Sequence, residues 1–457
     1  MCSCGPFPID SLMSDVSISE GVAMSRLVIE NATIVDGTGA VPRPNETVII
    51  DDGMITAVGR SLEIGSGPVQ RIDAGGKVVM PGMIDCHCHI SFGEARTQEE
   101  QDLYTSVESR TLRSAFNLKK VLRAGVTGFS APGGSYYIGV ALSNAVANGM
   151  VKGPRLTSAG RFITTSNGIS DFYPMSVGVP EGSIGIVTNT IDEMRTEVRY
   201  QVKNGVDLIK IGDSAAGDFS AFRKEEIAAI AQMAHQLGKP VTIHARGSDA
   251  VDFAISAGVD WIMHGDRMTD EVIERLAESG IPLCPTLTLI ANLYDWGHLV
   301  GVPERKRDAY KRLLFDYAAP ALAKAHAAGV PFMTGTDSGF AVTPFGEWHA
   351  RELELLMTYA GHSALEAIRA ATLNGAVALG LKGQVGVIAP GMIADVLVVD
   401  GDPTKDIKVL QDRSKLTVIA NGVVQTFDDD DVTQRWSYER AQTIALNELT
   451  QELVHGR

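Results

Sequence analysis

The sequence predicts an α/β protein: a (β/α)8 barrel of the TIM type with a composite β-sandwich domain built by the N- and C-terminal segments. Three observations support this fold class. Hydrophobic residues make up 45% of the 457 residues and charged residues 21%, as in a folded globular chain with a large core. Short β-rich segments alternate with long helical ones through the middle of the chain. Similar strand-and-turn patterns occur near both ends.

The chain divides into four parts in order. Residues 1–25 are small, polar and aperiodic, which predicts a flexible tail. Residues 26–80 alternate β-branched residues with Asp-Gly turns and form the first part of the β-sandwich. Residues 81–385 form the barrel. Residues 386–457 return to strands and turns, complete the β-sandwich, and end in a helix after the acidic run at 428–431.

Eight short strands are predicted for the barrel, most of them followed by a helical pattern. The strands are KVVMPGMID, GVTGFSAP, PRLTSAG, DLIKIGD, PVTIHAR, WIMHGD, IPLCPTLT and PFMTGTD. Long helical patterns occupy 107–124, 191–204, 224–237 and 270–279. Eight such units over about 300 residues favour a closed barrel, although counting alone leaves an open sheet as the alternative.

Charge and cysteine content exclude several classes of function. Forty Lys and Arg against 55 Asp and Glu give a net charge of −15, which repels nucleic acid and anionic lipid. Apolar runs are far shorter than the roughly 20 residues that cross a bilayer, and no secretory signal pattern is visible. Five cysteines do not fit a disulfide framework. We therefore expect a cytoplasmic protein with no nucleic-acid or membrane partner.

Polar side chains end several predicted strands, which is where barrels place their chemistry. The first strand ends in Asp85-Cys86-His87-Cys88-His89. Alternation along a strand sends the two histidines to one side and the two cysteines to the other. Two imidazoles on one side can chelate a divalent ion, although the His-x-His pair alone is a weak signal.

Four further strand ends strengthen the prediction of a metal site: they carry Lys210, His244, His264 and Asp337. Lys210 lies in an apolar strand, where an unpaired ammonium is costly. One interpretation is that it reaches solvent or pairs with Asp213. The other is that CO₂ carbamylates the amine, which then bridges two metals as a carboxylate. The neighbouring histidines favour the bridge.

With these residues at its strand ends, the sequence resembles the amidohydrolase superfamily over residues 26 to about 426. The motifs that carry the resemblance are MPGMIDCHCH at 80–89, IKI at 209–211, TIHA at 242–245, MHG at 263–265, TGTDSG at 334–339, ATLNGA at 371–376 and GVIAPGMIAD at 386–395. The resemblance implies an enzyme with a barrel that holds two metal ions.

The resemblance also implies ligands and a mechanism. It implies two divalent ions, zinc above all, with manganese, cobalt or iron as alternatives, bridged by carbamylated Lys210 and a hydroxide. Asp337 is expected to take the hydroxide proton during attack and to pass it to the departing nitrogen. The ligands divide into two groups: His87, His89 and Asp337 for one ion, and His244 and His264 for the other.

Within the superfamily the chain resembles two branches: hydrolases of phenylurea and molinate-type compounds, and dipeptidases or carboxypeptidases that cleave Xaa-Pro, Xaa-Arg or Xaa-Lys. The second branch usually has a Gly-Gly-His-Gly-like segment and a Tyr-containing loop, whereas residues 165–168 and 213–220 here lack that His and Tyr. We therefore predict cleavage of a C–N bond in an amide, urea or (thio)carbamate. The imidodipeptidase is the alternative, and a mononuclear deaminase, which needs no bridging Lys210, comes third.

Four residues are predicted to contact the substrate: Asn167, Arg246, Tyr137 and Phe219. Arg246 can clamp a carboxylate, or it can simply pair with Asp213 or Asp266. The two aromatic residues lie on predicted loops, where packing roles are common. A small-molecule substrate and a second copy of the chain, in a homo-oligomer, are the expected partners.

Overall fold

This computed structural model describes residues 26–95, 97–428 and 449–456. The predicted tail at 1–25 lies outside them, as does 429–448, which includes most of the acidic run. The described part is an α/β protein with an eight-stranded sheet and two parallel sheets of six and three strands.

The secondary-structure elements have the following bounds. The strands are β1 (Arg26–Ile34), β2 (Arg43–Asp51), β3 (Met54–Gly59), β4 (Val69–Asp73), β5 (Val78–Pro81), β6 (Met83–Asp85), β7 (Val126–Ala131), β8 (Arg155–Ser158), β9 (Phe162–Thr164), β10 (Gly185–Val187), β11 (Ile209–Gly212), β12 (Val241–Gly247), β13 (Trp261–Arg267), β14 (Leu283–Cys284), β15 (Val396–Val399), β16 (Leu416–Ala420) and β17 (Val423–Val424). The helices are α1 (Val107–Arg123), α2 (Ile138–Ala147), α3 (Ile191–Lys203), α4 (Lys224–Gln236), α5 (Ser248–Ala257), α6 (Asp270–Ser279), α7 (Leu287–Asp295), α8 (Glu304–Arg312), α9 (Ala319–Ala327), α10 (Arg351–Ala360), α11 (Ala364–Ala370) and α12 (Gln451–His455).

Both ends of the chain contribute to the eight-stranded sheet. Its order is β17-β16-β15-β5-β1-β2-β3, and β4 pairs with β1. The antiparallel pairing of β5 with β15 joins the N-terminal strands to the C-terminal ones. Strands from both ends of the chain therefore belong to one hydrogen-bonded sheet. Backbone bonds from Ile55 to Met392 and from Ala394 to Gly53, both 2.8 Å, bring its distant parts together.

The two parallel sheets contain seven of the eight predicted barrel strands. The six-stranded sheet has the order β10-β9-β11-β12-β13-β14, and the three-stranded sheet has the order β6-β7-β8. Backbone bonds link them at one junction through Asp207 and Ser158, 2.8 Å apart. At the other junction, segment 331–334 bonds to Leu283 on one side and to Cys86 on the other. This segment is the predicted eighth strand, and it forms isolated bridges instead of a regular strand.

Two predicted strands have different limits in the structure. The first is divided at Gly82, where β5 leaves for the eight-stranded sheet and β6 begins. Gly82 makes this crossing possible because a Cβ there would collide with Thr127. The seventh strand ends early, since its last residues begin α7. Two short strands, β9 and β10, were not predicted.

The four predicted long helices are confirmed to within one residue at each end. Helix α3 begins at a capping box, in which Thr190 accepts from the Glu193 backbone and the Glu193 carboxylate accepts from the Thr190 backbone. On β11, Ile209 and Ile211 pack into the core shared with the helices, so alternation directs Lys210 to the opposite side. Among the described helices, none has the length and apolar character needed to span a bilayer.

Candidate metal centre

Six polar side chains converge at the carboxyl ends of the parallel strands, and all six are buried: His87, His89, Lys210, His244, His264 and Asp337. His87, His89 and Asp337, the ligands predicted for one ion, form a tight group. His89 Nε2 lies 3.1 Å from His87 Nε2 and 3.1 Å from Asp337 Oδ1. These donor atoms are close enough to hold one metal ion together.

The other two histidines adjoin this group. The ring centroids of His244 and His264 are 4.3 Å apart, and those of His264 and His87 are 5.2 Å apart. Thr286 Oγ1 lies 2.5 Å from His264 Nδ1, whereas His264 Nε2 is buried with no hydrogen-bond partner in the described structure. A buried nitrogen whose lone pair is unused is the donor that a metal ion requires.

Burial keeps these imidazoles neutral. It lowers the pKa of His87, His244 and His264 well below the usual value, and the nearby cationic side chains of Lys210 and Arg246 lower it further. Neutral imidazole is the form that binds metal ions. The donor set and the unpartnered nitrogen therefore fit divalent metal binding.

Lys210 lines the same cavity as His87, His89, His244 and Asp337. Its Nζ contacts Met263 Sδ, and burial lowers the pKa of Lys210 from 10.5 to about 7. Pairing with Asp213 is not observed, because that carboxylate accepts instead from the backbone amides of Ala221 and Phe222, at 2.5 and 3.2 Å. A buried amine with this pKa is about half neutral at pH 7, and the neutral form can react as a nucleophile.

The backbone is strained at three residues of the site or next to it. His264, Thr286 and Asp337 have φ values of 77°, 57° and 56°, in the left-handed region that residues other than glycine seldom occupy. Such conformations cost roughly 1–3 kcal/mol each and cluster at functional sites. Close packing adds to the constraint at Gly335, where a Cβ would collide with Cys284 and His87.

A second buried donor group consists of Asp85, Cys88 and His349. His349 Nδ1 lies 2.7 Å from Asp85 Oδ2, and His349 Nε2 accepts from the Gly346 amide at 3.0 Å. Asp85 also accepts from the backbone amide of Thr336, at 3.1 Å. Burial raises the pKa of the Cys88 thiol well above its usual value. His349 and Asp85 already bond to each other and to backbone amides, so the group holds the end of the first predicted strand against the segment at Thr336.

A cavity of about 290 Å³ opens onto the metal centre, and one predicted substrate contact lines it. Arg246 lines this cavity and also forms an ion pair with Asp266, one of its two predicted alternatives. The pairing neutralises the guanidinium and fixes its position.

The structure does not bring the other three predicted contacts to this cavity; none is among its described lining residues. Asn167 is exposed, and its backbone amide donates to Asp171. Tyr137 precedes α2 and packs against the core beneath the helices. Phe219 is 54% exposed. The periodicity of the sequence predicted that these residues lie near loops, but it does not show in which direction each loop runs relative to the cavity.

Sequence reasoning missed most of the cavity wall. The wall contains aromatic side chains from several separate segments: Phe92, Phe162, Phe172, Tyr310 and Phe340. One signal was available on α8, where Lys306 and Tyr310 lie four residues apart and both line the cavity. The aromatic residues of the loops had no such spacing.

Comparisons with known proteins agree with this geometry. The profile of the amidohydrolase family matches residues 78–424. Ochratoxinase of Aspergillus niger is 27% identical over 420 residues, which cover 86% of this chain and 85% of that protein. A solved Xaa-Pro dipeptidase with bound methionine superposes with a TM-score of 0.77 at 26% identity, covering 88% of this chain and 100% of that one. Molinate hydrolase shares the fold, with a TM-score of 0.74 at 23% identity over 92% of this chain and 99% of that one. The chain therefore belongs to the amidohydrolase family and is a hydrolase that acts on carbon–nitrogen bonds.

Proposed function

We propose that this chain is a binuclear metal-dependent hydrolase that cleaves the C–N bond of an amide, urea or (thio)carbamate. One observation carries the proposal: three buried imidazoles, a carboxylate and a buried amine line one cavity, and a fourth buried imidazole, that of His264, packs against two of the three. A deaminase with a single metal ion would not need the amine of Lys210 at this place.

Two groups of residues are suited to hold the ions. His87, His89 and Asp337 would hold one, and His244 with His264 would hold the other, with carbamylated Lys210 between them. Bound divalent cations would polarise the substrate carbonyl and lower the pKa of a water molecule. The ligand set suits zinc, with manganese, cobalt or iron as alternatives.

Asp337 is the residue suited to move the proton. Its Oδ1 lies 3.1 Å from His89 Nε2, and its side chain lines the cavity. We assign it the task of accepting a proton from the attacking water and delivering that proton to the departing nitrogen. Arg246, held in place by its ion pair with Asp266, also lines the cavity and would offer N–H donors to the substrate.

The lining favours an uncharged substrate. Aromatic and aliphatic residues are nine of the 19 described lining residues, and the guanidinium of Arg246 is already paired. A peptide α-carboxylate would have to compete with Asp266 for this cation. The likeness to the Xaa-Pro dipeptidase keeps an imidodipeptidase as the second candidate.

The decisive experiment combines metal analysis with a substrate panel. We expect two metal ions per chain by elemental analysis, and clearly fewer in Lys210→Ala. The panel contains aryl ureas, thiocarbamates, N-acyl amino acids and Xaa-Pro and Xaa-Arg dipeptides. A clear preference for the dipeptides would replace the first candidate by the second, and a single ion per chain would contradict the binuclear centre.

Asp337→Ala tests the proton transfer. We expect kcat to fall by at least about 10³-fold, since the variant loses both a ligand and the acid–base group. Turnover at the wild-type rate in this variant would refute the assignment.

Three further features remain proposals. The backbone bonds at both sheet junctions support closure of the parallel strands into a barrel. The division into 26–80, 81–385 and 386–457 follows the change from the eight-stranded sheet to the parallel ones and back. The homo-oligomeric state and the cytoplasmic location stay predictions from the sequence.

A further inference from the structure

A second cavity adjoins the metal centre. It measures about 400 Å³ and shares part of its wall with the cavity of about 290 Å³ at the metal ligands. The shared residues are Gln98, Leu289, Lys306, Tyr310 and Phe340. We call this second space the outer cavity. Its own wall includes Leu293, Val300, Val302, Ala341 and Val342.

The outer cavity is mainly apolar. Leu293, Val300 and Val342 belong to a buried hydrophobic cluster, and Val302 packs against that cluster. The charged lining residues are Glu99 and Lys306, whose charges are opposite. The wall therefore has no net charge and suits an uncharged group, which gains free energy in proportion to the apolar area that it buries.

The two cavities meet beside a metal ligand. The ring of Phe340 packs edge-on against those of Phe92 and His89, with centroids 5.1 and 6.5 Å away. Phe340 and Tyr310 thus form a wall common to both spaces. A substituent attached to a carbonyl at the metal centre would extend past these two rings into the outer cavity.

We propose that the outer cavity binds an uncharged, ring-sized substituent on one side of the scissile C–N bond. The substrate class is then a two-part conjugate, with its carbonyl at the metal centre and an aromatic or alicyclic group in the outer cavity. Cavities of a few hundred Å³ with apolar walls are typical of sites for such groups. This inference rests on the proposed function, because that function places the scissile bond.

Probe binding tests the cavity without any turnover. N-phenyl-1-naphthylamine is uncharged, and its fluorescence rises in an apolar site. We expect saturable binding to the wild-type full-length chain and at least about tenfold weaker binding to Val302→Trp, which fills the outer cavity. Leu299→Trp is the matched control: Leu299 lies three positions away, is 39% exposed and is not among the described lining residues. Val302→Gln makes the wall polar with little added volume and covers the case in which Val302→Trp does not fold.

Hydrolysis of paired amide substrates is the second test of the proposal. Acetanilide and N-phenyl-2-naphthamide share the aniline leaving group and differ in the acyl group. Acetanilide and N-(2-naphthyl)acetamide share the acetyl group and differ in the amine. We expect kcat/KM to favour the naphthyl member of one pair at least about tenfold, Val302→Trp to remove that preference, and Leu299→Trp to retain it. Unchanged probe binding in both Val302 variants, or no binding to the wild type, would overturn the inference. Normal probe binding without hydrolysis of any amide would instead count against the proposed function.

Discussion

His264 is oriented by a single hydroxyl group. With Thr286 Oγ1 2.5 Å from Nδ1, the ring is held so that the unpartnered Nε2 is the atom free for a metal. A hydrogen bond of this kind selects the tautomer and the ring orientation of a ligating histidine.

Removing this hydroxyl should weaken metal binding without unfolding the chain. We expect Thr286→Val to lower metal affinity about 10- to 100-fold, because the variant keeps its shape but no longer fixes the His264 tautomer. Competition with a chromophoric chelator measures the change. Thr288→Val is the control, since that buried hydroxyl bonds to Glu352 and to no ligand. Equal losses of metal affinity in both variants would argue for a general structural effect.

Lys210 should destabilise the metal-free chain in a pH-dependent way. Its pKa is lowered to about 7 in the folded state, from an ordinary 10.5. Between these values the unfolded chain holds a proton that the folded chain has released, so the folded state gains stability as pH rises from 7, and the full cost is present below 7.

Lys210→Met removes this cost. In chelator and CO₂-free buffer, we expect the variant to exceed the wild type in free energy of unfolding by roughly 3–5 kcal/mol at pH 6. The difference should shrink by about 1.4 kcal/mol for each pH unit between 7 and 9. Urea denaturation at several pH values measures it. A difference that does not change with pH would contradict the buried, neutral amine.

At the scale of elements, α7 connects the metal centre to the outer layer of helices. The carboxylate of Glu352 on α10 accepts from the backbone amides of Leu287 and Thr288 at 2.9 and 2.8 Å. These amides belong to the first turn of α7, directly after Thr286. Burial raises the pKa of Glu352 to about 7. The Glu352 carboxylate on α10 therefore caps α7. This helix begins directly after Thr286, the hydrogen-bond partner of His264.

Loss of this cap should be costly. Glu352→Ala would leave two backbone amides and the Thr288 hydroxyl buried without an acceptor, so we expect a loss of about 2–5 kcal/mol in the free energy of unfolding. The control is Glu354→Ala on the same helix, where a partly exposed pair with Lys408 at 2.9 Å contributes less than about 1 kcal/mol. Chemical denaturation of both variants tests the comparison. Similar losses would show that Glu352 is not the cap of α7.

Sequence periodicity predicted which elements are present more accurately than it predicted where the strands begin and end. The long helices were predicted to within a residue because amphipathic spacing is a local signal. The split at Gly82 was missed, since one apolar run serves two different sheets and only its packing against Thr127 shows the crossing. Strands β9 and β10 were missed for a related reason: each is three residues long, too short for alternation to be recognised.

The site divides in the same way between local and tertiary information. His87 and His89 could be found from their motif, and Lys210 from the cost of burying an ammonium in a strand. The cavity wall could not be found, because Phe172 and Phe340 come from loops without periodicity. These two side chains meet only in the tertiary fold, which brings their separate loops to one cavity.

At the scale of the whole molecule, the C-terminal end is attached to the wall of the outer cavity. Leu449 is fully buried, its backbone amide donates to Ala341 at 2.9 Å, and its carbonyl accepts from Trp348 Nε1 at 2.7 Å. Ala341 lines the outer cavity. The chain terminus therefore stabilises a wall that lies far from it in the sequence.

Truncating this side chain should weaken the molecule. We expect Leu449→Ala to lower the free energy of unfolding by about 2–4 kcal/mol, because a buried leucine leaves a cavity in the cluster around Trp348. Leu453→Ala, at a position 41% exposed, should change it by less than about 0.5 kcal/mol. Calorimetry on both variants measures the contrast. Equal melting temperatures would show that the terminal segment is not bound to the body of the protein.

The left-handed backbone at His264 and Asp337 sets the stability of the fold against catalytic activity. Glycine at either position would relieve backbone strain of about 1–3 kcal/mol and would remove a donor atom of the proposed metal centre. A library screened for heat resistance alone would accumulate replacements at these two positions, and its best survivors would be inert. Engineering for heat resistance must therefore keep both residues and seek stabilising substitutions at other positions.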